Sequence, residues 1–380
     1  MSETVFLRPR GNALILSAAT GVLALSALLG NAFGDDFPIV SVPRLTIAAV
    51  LLAVLGSAFA LGFIRRLPGD IAILVSSLFS AYALVATAAD HPGEATGGFW
   101  LLTLAAWTCG WLFVERLAAW QAVGLGAKQV INVAIPLLFG IWLLILWQIV
   151  VTGFGVPKVL LPAPSEIWLR LTGSVPTLWA DFQQTFLKAV LFGYAAGCGA
   201  GFVIAILVDR VPFLRRGLLP IGNLVSALPI IGVAPIMVMW FGFDWPSKAA
   251  VVIIMTFFPM LVNTVSGLAA SDAMQKDLMR TYAAGYWQML VKLRLPMAMP
   301  FIFNALKINS TLALIGAIVA EFFGTPIVGM GFRISTEVGR MNVDMVWAEI
   351  AVAALAGSLF YGLVALLEKR LTFWHPSQRG

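Results

Sequence analysis

Charged residues are scarce in this sequence. Asp, Glu, Lys and Arg together make up 11% of its 380 residues, whereas 60% are hydrophobic. A water-soluble domain carries roughly 25% charged residues to cover its surface. The shortage of charge therefore excludes an ordinary soluble protein. Apolar runs of about 20 residues recur along the sequence and indicate a chain that crosses a membrane many times.

Residues that carry catalysis or hold metals are also few. The two cysteines, Cys109 and Cys198, lie in apolar segments, and the two histidines, His91 and His375, lie far apart. We interpret the cysteines as buried small residues and not as a disulfide or a metal pair. The sequence contains no Gly-x-x-x-x-Gly-Lys-Ser/Thr phosphate loop and no recognisable catalytic triad or carboxylate pair. It predicts a protein that is not an enzyme and that holds no cofactor or metal of its own.

The apolar runs are continuous, whereas strands of a membrane barrel alternate apolar and polar residues. Helices satisfy their own backbone hydrogen bonds in hydrocarbon, so they are the expected form. We predict an all-α polytopic membrane protein with about ten transmembrane helices. The expected spans lie at about 13–33, 45–64, 70–89, 97–114, 130–151, 186–208, 217–241, 248–270, 298–322 and 346–367.

Basic residues gather in alternate loops between these spans. Arg8, Arg65, Arg215, Lys276 and Lys369 all fall on one side. Loops rich in Lys and Arg face the cytoplasm in most membrane proteins. Both termini are therefore expected to be cytoplasmic.

Three glycines, Gly193, Gly197 and Gly201, are spaced four residues apart on one face of an expected span. Small residues allow two helix backbones to approach closely in lipid. The pattern predicts ordinary helix packing. A mobile interface that slides along this face is the alternative.

Two prolines, Pro229 and Pro235, lie inside the expected span 217–241. Proline removes a helical hydrogen bond and kinks or breaks a helix. Broken helices are tolerated in membranes where they line a cavity or are buried in protein. We predict that both residues line a translocation pathway, with a purely structural kink as the alternative.

Polar residues in the expected span 298–322 are further candidates for the pathway. Asn304, Lys307 and Glu321 stand out, because charge at membrane depth usually faces a bundle interior or a wet cavity. The alternative for Lys307 and Glu321 is that each side chain reaches toward the nearer membrane interface.

A polar segment at about 272–296 separates two long apolar runs. Its sequence predicts two short helices, the second ending before Pro296. We expect this segment to bind a cytoplasmic partner. A solvated loop that only connects two spans is the alternative.

This segment resembles the cytoplasmic loop of the membrane permease of a bacterial type I ABC importer. The signature of that family is Glu-Ala-Ala, three residues, Gly, and then about a dozen residues to Leu-Pro. The matching positions are Asp277, Leu278, Met279, Ala283, Leu295 and Pro296. The acidic position is kept as Asp, whereas other side chains replace the alanines and the glycine. Ala284 or Gly285 could therefore form the tight turn in place of Ala283.

Other segments are similar to the nitrate, sulfonate and taurine branch of these permeases. A proline-rich run ends in Trp240-Phe241-Gly242, the next span contains Phe257-Phe258-Pro259, and Val319-Ala320-Glu321 precedes a Gly-x-Gly. The similarity covers about 130–375 and does not extend to 1–120.

The resemblance implies a six-helix permease core at 121–380, preceded by an additional four-helix membrane unit at 1–120. It also implies a location in the bacterial inner membrane. Two permeases, usually identical, would pair with two cytoplasmic ATPases, which would bind ATP and Mg²⁺. An extracytoplasmic binding protein would deliver a small solute, either an oxyanion or sulfonate or a small heterocycle such as a vitamin precursor.

An ion-coupled secondary transporter is the alternative function. Such proteins usually carry several acidic residues within the membrane or an inverted repeat. The sequence shows neither feature clearly.

Overall fold

The computed structural model describes residues 11–34, 37–63, 66–119, 125–226, 229–324 and 327–374. Nearly all of these residues are helical, apart from loops and a short hairpin of Asn31–Phe33 and Phe37–Pro38. The predicted all-α membrane architecture is confirmed.

The chain divides into two compact units, Met1–Ile167 and Trp168–Gly380. The helices of the first unit are α1 (Asn12–Leu28), α2 (Pro43–Ala60), α3 (Arg66–Asp90), α4 (Gly97–Ala118) and α5 (Leu125–Gly153), with a 3-10 turn at Ile39–Ser41. Close approaches at small residues bring these helices together. Gly21 of α1 faces Gly56 of α2, and Gly98 at the start of α4 faces Gly30.

The helix α5 contacts α3 and α4 of the first unit. The family resemblance predicts that α5 begins the permease core, after a boundary at residue 120. In the structure α5 packs with the helices of the first unit, and the boundary at residue 120 stays a prediction.

The second unit is built around α8, α11, α14 and α16. The boundary between the units falls within α6 (Pro164–Gly173). The helices that follow are α7 (Val175–Phe182), α8 (Leu191–Arg210), α9 (Pro212–Ser226), α10 (Ile230–Phe241), α11 (Trp245–Ala269), α12 (Ala273–Thr281), α13 (Tyr286–Met289), α14 (Leu295–Glu321), α15 (Met330–Gly339) and α16 (Val343–Leu371). Two π-helical segments, Gln183–Val190 and Leu290–Arg294, join α7 to α8 and α13 to α14.

Eight helices in the described part of the chain are long and apolar enough to cross a membrane. The π-helical segments make two of them unusually long, because Val175–Arg210 and Tyr286–Glu321 each run for 36 residues. The other spans are Pro43–Ala60, Pro68–Asp90, Gly97–Ala118, Gln129–Gly153, Trp245–Ala269 and Val343–Leu371. The expected span at 13–33 corresponds to α1, which has 17 residues.

The expected continuous span at 217–241 is replaced by two helices, α9 and α10. Pro229 precedes α10 in an extended conformation, with φ −68° and ψ 117°, so the helical path stops there. The 12 residues of α10 reach about 18 Å, which is less than the roughly 30 Å of a bilayer core. The proline therefore divides this crossing into two shorter pieces.

The three glycines of α8 all face α11. A Cβ atom at Gly193 would lie 2.6 Å from Val252 Cβ, and one at Gly201 would lie 2.6 Å from the Phe257 carbonyl oxygen. At Gly197 it would collide with the Thr256 hydroxyl. Both distances are too short for real atoms, so α8 and α11 can approach this closely only where α8 carries glycine.

Replacing Gly197 with leucine should destabilise the second unit, because overpacking a tight contact costs roughly 1–3 kcal/mol. Gly199→Leu is the matched control, since a side chain added there meets open space. Thermal unfolding of the purified protein in detergent should show a lower midpoint for Gly197→Leu alone. Equal midpoints for the two variants would contradict a tight α8–α11 contact.

Candidate functional site

The polar segment 272–296 folds as two short helices, as its sequence suggests. Asp272 caps α12 by accepting a hydrogen bond from the Met274 N–H at 3.2 Å. Met274, Leu278 and Tyr282 are spaced four residues apart and are all exposed, at 78%, 59% and 80%. The segment therefore presents an exposed apolar face. Its contact with a partner stays a prediction.

The tight turn between the two short helices lies at Ala283. This residue has φ +52°, in the left-handed region where glycine is favoured. The Ala284 N–H closes α12 with a bond to the Met279 carbonyl at 3.0 Å. Gly285 has φ −70° and forms the N-cap of α13. The conformation that glycine would best adopt thus occurs at the position that the family signature aligns with Ala283.

Asp277 lies on the exposed side of α12. Its carboxylate pairs with Arg280 at 3.1 Å, and both side chains are about two-thirds exposed. An exposed pair of this kind contributes little to stability. The carboxylate therefore stays exposed to solvent. Leu295 and Pro296 begin α14, where proline is well tolerated in the first turn.

One face of α14 forms an exposed stripe of Asn304, Ile308, Thr311 and Ile315. Asn304 lies roughly 14 Å along α14 from its first residue, within an apolar span. An amide at that depth requires a polar partner or water, because lipid offers neither.

Pro229 and Pro235 are also exposed and lie at the start and in the middle of α10. The side chain of Ile230, at the first position of α10, approaches Gly316 of α14. The broken crossing and the exposed stripe therefore belong to neighbouring helices. Their role as pathway-lining residues stays a prediction.

Lys307 does not lie on this stripe. Its ammonium pairs with Glu368 of α16 at 2.7 Å, and both side chains are largely buried. Two opposite charges in direct contact can be accommodated at membrane depth, whereas a single charge is costly. The pair joins α14 to α16.

Glu321 ends α14 and is only 2% exposed. Its carboxylate accepts hydrogen bonds from the Thr185 hydroxyl at 2.8 Å and from the Gly331 N–H at 2.7 Å. A Cβ atom at Gly329 would lie 2.8 Å from the same carboxylate. Glu321 is therefore enclosed within the unit and fixes the start of α15 against α14.

Three further charged residues, Asp181, Arg333 and Lys248, form contacts at this end of the unit. None of them is among the candidate site residues predicted from the sequence. Asp181 is fully buried and accepts a bond from Arg333 Nε at 2.8 Å. This hydrogen bond raises the pKa of Arg333 above its ordinary value. The Lys248 ammonium donates to the Phe243 carbonyl at 2.6 Å and to the Gly324 carbonyl. Their only sequence signal is a charge near the end of a span, which does not reveal its partner.

Asp244 caps the start of α11 near the same cluster. Its carboxylate accepts the Trp245 N–H and Gln184 Nε2, both at 2.7 Å. These bonds, the backbone bond first, hold the pKa of Asp244 below its ordinary value. Because the folded-state pKa is lowered, the stability that this cap contributes is present above the ordinary carboxyl pKa. It is lost as pH falls through the lowered value.

Replacing Ala283 with glycine should stabilise the turn in 272–296, because an L-residue in the left-handed region costs roughly 1–2 kcal/mol. Hydrogen exchange at the amides of α12 should become slower. Ala284→Gly is the control, since its φ is not positive and glycine there only adds freedom to the unfolded chain. Faster exchange in Ala283→Gly would show that the turn does not have this conformation.

Comparison with known proteins gives a consistent result. The model of the family described as "Binding-protein-dependent transport system inner membrane component" matches residues 193–373. The chain is 30% identical over 243 residues to the formylaminopyrimidine transport permease protein ThiX of Halalkalibacterium halodurans. The aligned residues make up 64% of this chain and 96% of that protein.

Two further relatives have similar sequence identities to this chain. The riboflavin transport system permease protein RibX of Chloroflexus aurantiacus is 30% identical over 239 residues, or 62% of this chain and 88% of the relative. The putative aliphatic sulfonates transport permease protein SsuC of Bacillus subtilis is 31% identical over 238 residues, or 62% and 85%. The chain therefore belongs to the binding-protein-dependent inner-membrane transport family, as an ABC importer permease of the nitrate, sulfonate and taurine branch.

Proposed function

We propose that two copies of this chain pair in the inner membrane and enclose a pathway for a small neutral heterocycle. The observation that carries the proposal is the amide of Asn304, which lies on the exposed stripe of α14 in the middle of a membrane span. A hydrogen-bonding group at that depth is costly against lipid but useful against a polar solute. The exposed stripe of α14 and the exposed side of α10 from each copy would line the pathway.

The class of solute follows from the charges available on these surfaces. The stripe residues are uncharged, and α10 contains no charged residue. The one cation in the apolar part of α14, Lys307, is held by Glu368. Transfer of an anion through hydrocarbon would require a compensating charge. A pathway that offers an amide, a hydroxyl and apolar surface suits a neutral ring with polar edges.

The names of the relatives are compatible with this class. ThiX is named for formylaminopyrimidine and RibX for riboflavin, whereas SsuC is named for aliphatic sulfonates. We infer a nitrogen heterocycle of the size of a vitamin precursor, delivered by an extracytoplasmic binding protein.

The segment 272–296 is the proposed contact with the ATPase. Its apolar face of Met274, Leu278 and Tyr282 would enter a groove of that subunit, and Asp277 would meet a basic group at the rim. ATP and Mg²⁺ would be bound by the ATPase, and this chain would supply no cofactor site. This arrangement requires 272–296 and both termini to be cytoplasmic, as the positions of the basic residues indicate.

A cysteine at Leu278 should form a crosslink to the ATPase in native membranes, because the side chain is 59% exposed on the proposed contact face. Cys109 and Cys198 are buried, so they should not compete for the reagent. A cysteine at Leu359, exposed on α16, is the control and should form no such crosslink. If the cysteine at Leu278 forms no crosslink to the ATPase, the proposed docking surface is excluded.

Asn304→Leu should lower uptake of the solute roughly tenfold, because one lost hydrogen bond costs about 1–1.5 kcal/mol. Asn304→Gln keeps an amide and should retain most uptake. The measurement is binding-protein-dependent uptake of a labelled aminopyrimidine, compared with labelled taurine and nitrate. Uptake of taurine or nitrate but not of the aminopyrimidine would refute the proposed solute class.

A further inference from the structure

An arginine and an aspartate join the base of 272–296 to the neighbouring helix α8. Asp209 is the penultimate residue of α8, and Arg294 immediately precedes α14. Arg294 Nη1 lies 2.7 Å from Asp209 Oδ2, and Nη2 lies 2.6 Å from Oδ1. The two side chains are 14% and 5% exposed. A bidentate pair with this burial fixes both distance and orientation, unlike the exposed pair of Asp277 and Arg280.

Arg294 also binds a third helix. Its Nε donates to the Leu268 carbonyl at 3.0 Å, in the last turn of α11. Carbonyl groups at a helix C-terminus have no partner within the helix and favour a nearby cation. One guanidinium therefore connects the C-terminal ends of α8 and α11 to the start of α14.

Tyr286, the first residue of α13, also contacts Asp209. Its hydroxyl donates to Asp209 Oδ2 at 3.2 Å, and the Arg210 guanidinium lies 5.5 Å from its ring centroid. Tyr286 begins α13, directly after the turn at Ala283. Asp209 thus accepts one hydrogen bond from Tyr286 and two from Arg294, which lie at the two ends of the stretch that runs from α13 to α14. We call Asp209, Tyr286 and Arg294 the Asp209 cluster.

The Asp209 cluster is connected to a close helix contact within the unit. Through Asp209 it is attached to α8, whose glycines pack against the backbone of α11. Closely packed helices move together, because the contact leaves no gap to absorb a displacement. By contrast, α12 is held to the unit by exposed, weak contacts such as Lys276 to the Ala269 carbonyl at 3.5 Å.

We propose that the Asp209 cluster transmits the displacement of 272–296 to α8 and α11, so that Asp209, Tyr286 and Arg294 are positioning residues for ATP-driven transport. This inference rests on the proposed docking of 272–296 with the ATPase. If the cluster only stabilised the fold, its loss would lower the amount of assembled transporter. If it transmits motion, its loss leaves the ATPase bound and hydrolysing ATP without import.

The test uses the complete transporter, with ATPase and binding protein, reconstituted in liposomes. Two quantities are measured: crosslinking of Leu278→Cys to the ATPase, and the number of ATP molecules hydrolysed per solute imported. Asp209→Asn should keep the crosslink and raise that ratio roughly tenfold, because it replaces a charge-assisted bidentate pair with a weaker neutral contact. Asp209→Glu, which keeps the carboxylate, should restore most of the coupling.

Asp70→Asn is the matched control. Asp70 also forms an ion pair with an arginine, Arg116, in the first unit and far in sequence from 272–296. Asp70→Asn should leave the number of ATP molecules hydrolysed per solute imported unchanged.

If Asp209→Asn does not assemble, Tyr286→Phe takes its place, because this variant removes a single oxygen from the cluster. Tyr286→Phe should raise the ratio by about threefold, because it loses one hydrogen bond to the Asp209 carboxylate.

Each outcome decides one question. A crosslink with an unchanged ratio in both Asp209→Asn and Tyr286→Phe overturns the transmitting role. So does a crosslink that falls in proportion to uptake in both variants, since the cluster would then only hold 272–296 in place. If Leu278→Cys alone gives no crosslink, the docking proposal itself fails, and this result is distinguishable from a failure of the cluster.

Discussion

A polar group within an apolar span must find its partner inside the protein, because hydrocarbon supplies none. The second unit meets this constraint with pairs that join different helices. Lys307 of α14 binds Glu368 of α16, and Asn309 Nδ2 of α14 donates to the Thr256 carbonyl of α11 at 2.7 Å. Since each such bond is costly to break in lipid, these pairs fix how the helices are arranged. The exposed amide of Asn304 departs from this arrangement, and that departure is why it marks the proposed pathway.

The two ends of the unit are held by different kinds of contact. At the end near α15, Glu321, Asp181 and Lys248 are buried and bind backbone groups, so the start of α15 is held against α14 and α7. At the opposite end, α12 is exposed and carries an apolar face toward solvent. The Asp209 cluster is the buried polar contact between this exposed segment and the packed helices. An importer needs such a division, because a partner must bind at one place and move the pathway at another.

The sequence predicted those features that depend on short-range pattern. Continuous apolar runs gave the helical spans, and the polar run gave the position of 272–296. Counting back from Leu295-Pro296 aligned the glycine of the signature with Ala283, which has a positive φ in the structure. The count of residues along a motif is enough for such a result, since a turn depends on the backbone of a few neighbours.

Pairs between distant residues were not predictable in this way. Asp209 and Arg294 are 85 residues apart, and their contact depends on how α8 meets α14. Glu321 and Lys307 were selected as charges at membrane depth, but pattern alone does not show whether a partner is present. The break at Pro229 was only partly visible, because a proline can either kink a helix or end it. In each case the deciding factor was tertiary packing.

We propose that ATP hydrolysis by a separate subunit drives solute through this chain. The most direct test is uptake into liposomes that contain the permease and its ATPase, with the binding protein and ATP supplied and all ion gradients removed by ionophores. Uptake should continue under these conditions and stop when ATP is replaced by a non-hydrolysable analogue. Uptake that requires an ion gradient and proceeds without ATP would contradict this proposal and would favour an ion-coupled transporter.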